Sequence, residues 1–226
     1  MKSSGGLFWA KGSIGVALLL GLALVSTAMP ARADTYGFTC LTSTSPTDCA
    51  TGQSQLTVVV SDAGNGQVSF TFSNSGPNAS SITDVYFDDG TLLAIASIVN
   101  GPGVSFSQGA APSDLPGGQL ASPPFHTTAG FLADSDAPVQ INGVNPGEFV
   151  TIFFSLQGDK TFADVIADLA SGALRIGIHV QGFSDGGSES FIGQSNPVPE
   201  PATLALLASG VAGLGFLKRR KLFRVR

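Results

Sequence analysis

Along residues 34–196 the apolar positions recur every second residue rather than at helical spacing, in short bursts separated by Gly, Asn, Asp and Pro. Leu56, Val58 and Val60 predict a strand over 55–61. Val68, Phe70 and Phe72 then alternate with Ser69, Thr71 and Ser73, and Asn65-Gly66 between the two runs supplies the positive φ of a tight hairpin turn. A second hairpin is expected from strands over 82–87 and 91–99, joined through Asp88-Asp89-Gly90. Further strands are predicted over 148–156, where Val150, Ile152, Phe154 and Leu156 share a face, over 174–180, and around 190–192. From 100 to 147 prolines and glycines thicken. A compact domain seldom holds so long a structureless loop, so short edge strands are expected to cross it.

One helix is legible. Thr161 and Asp164 have capping-box spacing, Phe162, Val165, Ile166 and Leu169 recur at helical spacing, and Gly172 suits the C-terminal cap. Seven or more strands and one short helix in about 160 residues fit two packed antiparallel sheets, because parallel crossovers would need repeated helices. The predicted fold is therefore mainly β: an antiparallel β-sandwich, jelly-roll or immunoglobulin-like, with one short helix.

The two ends follow other rules. Lys2 and Lys11 precede an apolar run over 14–25 and the small-residue site Ala31-Arg32-Ala33, the three regions of a secretory signal peptide. Residues 1–33 are read as that signal helix, with cleavage after Ala33. The exported domain is then 34–195. Cys40 and Cys49 enclose eight residues, and an oxidising compartment would let them form a disulfide that stabilises by ~2 kcal/mol.

The formal net charge of −5 hides a split: Lys160 and Arg175 are the two cations between Asp34 and Pro201, against all sixteen acids, which leaves −14 for that stretch. A field of that sign repels phosphate backbones and argues against nucleic acid as a partner. It also leaves carboxylates free for divalent cations.

Catalytic chemistry is sparse in the pattern. The two histidines, His126 and His179, are not flanked by a nucleophile motif, and no G-x-S-x-G occurs. No enzyme activity and no cofactor are expected. Asp84, Asp88 and Asp89 are the best-grouped oxygen donors and could hold Ca²⁺, although the D-x-D-x-D-G loop pattern is absent. Exposed aromatic platforms for a glycan are scarce, with no Trp and only Tyr36 and Tyr86 in the exported stretch.

Residues 196–226 form a three-part tail. Val198, Pro199, Glu200 and Pro201 cannot form a regular ladder and should stand extended, open to an enzyme that cuts backbone. An uncharged run over 202–217 is read as a short transmembrane helix, about 24 Å long at 1.5 Å per residue. Lys218, Arg219, Arg220 and Lys221 open a basic tail over 218–226 that resists crossing the membrane. This arrangement resembles the PEP-CTERM sorting signal of bacterial exported proteins. The resemblance implies processing by exosortase, a membrane-embedded cysteine transpeptidase, near Val198 to Pro201, with transient membrane residence through 202–217. It further implies an envelope or extracellular location, with exopolysaccharide among the surroundings. The expectation is a non-enzymatic surface or extracellular-matrix protein; a secreted carbohydrate- or calcium-binding module is the alternative.

Overall fold

The computed structural model describes residues 32–88, 93–128 and 131–197. The expected signal helix and the expected transmembrane helix over 202–217 fall outside these residues. Among the described residues no helix is long and apolar enough to cross a membrane. The strands are β1 (Ala33–Cys40), β2 (Leu56–Gly64), β3 (Gln67–Asn74), β4 (Ser81–Asp88), β5 (Leu93–Asn100), β6 (Phe106–Gln108), β7 (Leu132–Ser135), β8 (Phe149–Leu156), β9 (Arg175–Gln181) and β10 (Glu189–Gly193). The helices are α1 (Pro46–Gln55), α2 (Val139–Asn142) and α3 (Phe162–Ser171).

The β2–β3 hairpin forms as its pattern dictates, with Val58 opposite Phe72 and Val60 opposite Phe70. Asn65 and Gly66 take the positive φ angles, 53° and 71°, that turn it. Leu56, Val58, Val60, Val68, Phe70 and Phe72 are all fully buried, so the alternation did mark the core face.

The expected pair of separate sheets is instead one antiparallel ten-stranded sheet in the order β5-β8-β3-β2-β1-β10-β9-β4-β7-β6, curled into a nearly closed barrel. The cause lies in β1. Its first five residues pair with β2 through Ala33–Gly37 partners and its last three, Phe38, Thr39 and Cys40, pair with β10, so one strand serves both halves and no edge is left between them. At the far ends the barrel is closed by a side chain rather than a ladder. Asn100 of β5 donates to the Phe106 carbonyl of β6 at 3.2 Å and accepts from the Phe106 N–H at 2.9 Å.

The expected second hairpin does not form. β4 pairs with β9 and β7, whereas β5 pairs with β8, so consecutive strands lie in opposite halves. A turn signal shows that the chain changes direction; which strand it then meets is decided by the core. That core joins the halves directly: the Phe87 ring of β4 meets Phe154 of β8 at 4.7 Å and Phe70 of β3 at 5.1 Å, edge to face. Such pairs each contribute about 1 kcal/mol beyond area burial.

Helix α3 follows its sequence signature. Asp164 accepts the Thr161 N–H at 2.7 Å, Phe162, Val165 and Leu169 are buried, and Gly172 ends the helix with φ 78°. The expectation of one helix is nevertheless too few. Helix α1 carries no apolar stripe, since its buried positions are Asp48, Cys49, Gly52 and Gln55. It begins because Ser45 is extended, accepts the Asp48 N–H on its hydroxyl at 3.3 Å, and is followed by Pro46. The Pro- and Gly-rich stretch does contain the expected short strands, β6 and β7. Its remainder folds over the outer face of β4 and β9, placing Leu115 and Phe125 against Tyr86 and Leu132. Gly177 of β9 makes room for them, since a Cβ there would lie 2.7 Å from Leu115.

Candidate functional site

Strand β10 runs straight toward the C-terminal tail. The Gln194 N–H still bonds the Gly37 carbonyl at 2.9 Å, and Pro197 is the last described residue. Gly37 is also where β1 passes from β10 to β2. An open cleft of about 550 Å³ borders this departure. Leu169, Leu174 and Ile176 give it apolar walls, and Gln194, Ser195 and Asn196 line it with polar groups as the chain leaves the barrel. Its volume lies in the range of small-molecule sites. Arg175 also lines the cleft but is already engaged: it pairs with Asp88, donates to the carbonyls of Pro123 and Pro124, and lies 5.3 Å over the Phe125 ring.

The Asp84, Asp88 and Asp89 grouping divides. Asp89 lies outside the described residues. Asp88 is held by Arg175 and also accepts the His126 N–H at 3.3 Å. Asp84 sits opposite Asp134 of β7 and shares a hydrogen bond with it. Burial raises the Asp84 carboxyl above the usual carboxylate range, against hydrogen bonds from Thr83 and Tyr86 that lower it. Burial, and then the charge of Asp84, push Asp134 up to about 6. Tyr86 is raised as well, first by burial and then by Asp84. The two carboxyls therefore share a proton up to about pH 6, with Tyr86, Asp114 and Asp136 as the charged or titratable neighbours. Because the folded state binds that proton more tightly than the unfolded chain, the stabilisation is complete below about pH 4 and is lost as pH rises through about 6. Thermal unfolding from pH 4.5 to 7 is expected to show wild type losing stability relative to Asp134→Asn. Parallel curves for the two proteins would remove the shared proton.

His179 lies on the outer face of β9, between the buried Ile178 and Val180 that point into the core, with Nδ1 3.2 Å from the Ser190 hydroxyl. Ser190 is fully buried, and burial lowers the His179 pKa. A hydroxyl sealed from solvent is a hydrogen-bond partner rather than an accessible nucleophile.

The Cys40–Cys49 disulfide is present, with an S–S distance of 2.05 Å. Sequence gave no hint of its neighbour, Glu189, which arrives from β10 and places a carboxylate oxygen 3.9 Å from the Cys40 sulfur. Among the described residues, Cys40, Cys49 and Glu189 are grouped closely enough to suit a metal ion, but the S–S bond removes the thiolates that would hold one. Glu189 acts as an acceptor instead. It takes the hydroxyls of Thr42 and Thr44 and the Ser45 N–H, the last at 2.6 Å. Burial alone would raise its pKa, but these donors outweigh burial and hold it below the usual carboxylate range.

The PEP-CTERM protein-sorting motif matches residues 197–221, beginning where the last described residue leaves β10. The chain is thus a PEP-CTERM protein, of the class that exosortase recognises and processes. No curated protein and no solved structure matches the chain. The match spans the expected recognition segment Val198 to Pro201, the run over 202–217, and Lys218 to Lys221. All of these lie outside the described residues. The motif implies export to the cell envelope or extracellular space.

Proposed function

We propose that this chain is a non-enzymatic structural protein of the cell surface or extracellular matrix, delivered through its C-terminal motif. The observation that carries the reading is the position of the motif, which starts within a few residues of the end of β10. In this reading residues 1–33 direct export and 34–195 fold as the delivered barrel. Exosortase grips Val198, Pro199, Glu200 and Pro201, while 202–217 rests in the membrane and Lys218, Arg219, Arg220 and Lys221 stay on the cytoplasmic side. The acidic barrel then enters surroundings in which exopolysaccharide is a neighbour.

The test is the fate of the tail. With Val198 to Pro201 replaced by Gly-Ser-Gly-Ser, the expected outcome is loss of processing: mass spectrometry should find the basic C-terminal end retained and the protein held in the inner membrane. Processing that continues unchanged would overturn the reading.

The cleft of about 550 Å³ supports a second reading, a secreted carbohydrate-binding module. Glycan-array binding that is weakened by Gln194→Trp, which crowds the polar wall of the cleft, would favour it.

A further inference from the structure

Helix α1 opens with the spacing of a capping box, Ser45 at the cap and Asp48 three residues on, but the box does not close. The Ser45 N–H that Asp48 would ordinarily accept is taken by Glu189 at 2.6 Å. Asp48 is left 2% exposed, with Oδ2 buried and lacking any hydrogen-bond donor. It turns instead toward Asp185, in the turn between β9 and β10. A Cβ placed on Gly187 would lie 2.7 Å from Asp48 Oδ2 and 2.9 Å from Asp185 Oδ1, so both oxygens stand close together beside the Gly187 Cα, where any side chain would clash with them. Asp185 Oδ1 also accepts the Gly187 N–H at 2.8 Å, which fixes its direction.

We propose that Asp48 and Asp185 hold a calcium ion that staples helix α1 to the β9–β10 turn. Two carboxylates set against each other, one of them with a buried oxygen that no donor reaches, require a positive charge between them. A proton or a cation can supply it. Several features favour the cation. The ligands are hard oxygens, and Asp185 is exposed, so water can complete a coordination shell that Ca²⁺ tolerates in irregular form and Mg²⁺ does not. Glu189 stands behind the pair with its two oxygens already occupied, adding negative potential without competing for the ion. The −14 charge between Asp34 and Pro201 adds to the same field. The site is distinct from the Asp84, Asp88 and Asp89 grouping and does not depend on the function proposed above.

The test uses the full chain with its disulfide intact, stripped with EDTA and titrated calorimetrically with CaCl2 at pH 7, alongside thermal unfolding. One ion per chain is expected, with a dissociation constant on the order of 10⁻⁴ to 10⁻³ M, as in extracellular calcium modules. At about 5 mM CaCl2 the melting temperature should rise by roughly 3 °C. Asp48→Asn and Asp185→Asn should each abolish the heat and the shift, while Asp84→Asn should leave both. Should Asp48→Asn fail to fold, Asp185→Asn decides the matter, because its side chain is on the surface. No binding up to about 10 mM, or a response that persists in Asp185→Asn, would overturn the proposal and leave a proton as the shared charge.

Discussion

Replacing Phe87 with alanine is expected to destabilise the barrel by about 3–5 kcal/mol, the usual cost of truncating a buried phenylalanine, and to lower its melting temperature by roughly 10 °C. The ring is 1% exposed and stands where the two halves of the sheet meet, in edge contact with Phe70, Phe72 and Phe154. Three aromatic neighbours on two other strands cannot all move in to refill the space, so most of the cavity should persist. Denaturant unfolding measures the loss. A cost below about 1 kcal/mol would mean that the halves are held together by β1 and not by their shared core.

Glu189→Ala is expected to cost about 3 kcal/mol at pH 7, because it leaves the Thr42 and Thr44 hydroxyls and the Ser45 N–H without their acceptor in a buried site. Glu189→Gln keeps one acceptor oxygen and loses the charge, so its cost should be smaller. The pH dependence separates the charge from the shape. A carboxylate held below its unfolded pKa stabilises above about pH 4.5, and that contribution disappears as pH falls through the lower folded value. The gap between wild type and Glu189→Gln should therefore narrow from pH 7 to pH 3. A gap that stays constant would assign Glu189 a packing role only.

Local signals in this chain were reliable wherever the partner lay nearby. The β2–β3 hairpin is written in alternating Val and Phe about an Asn-Gly turn, and α3 in Thr161, Asp164 and Gly172, because each bond that forms these elements spans only a few residues. β1 was missed because Tyr-Gly-Phe-Thr-Cys gives too short an alternation to stand apart from a signal-peptide boundary. α1 was missed for a different reason. Its sequence is polar throughout, and what holds it in place, the disulfide and Glu189, includes a residue about 140 positions away.

The candidate sites divide along the same line. The sorting motif was legible because an enzyme reads it as extended chain, so type, order and spacing are the whole message. The carboxylates were not. Asp84 meets Asp134, and Asp48 faces Asp185, only because strands and turns distant in sequence are brought side by side. Sixteen acids offer many such pairings, and spacing along the chain does not rank them.

By itself, then, the amino-acid order determined a mainly β domain, a disulfide, one capped helix and the address at the C-terminal end. Those properties arise from short-range periodicity and from segments recognised as linear chain. The joining of two expected sheets into one barrel, and the choice of which acids share a proton or face a common charge, were decided only by tertiary packing. A strand's second partner and a carboxylate's neighbour are set by the burial of the common core, and that constraint is felt only when the whole domain closes.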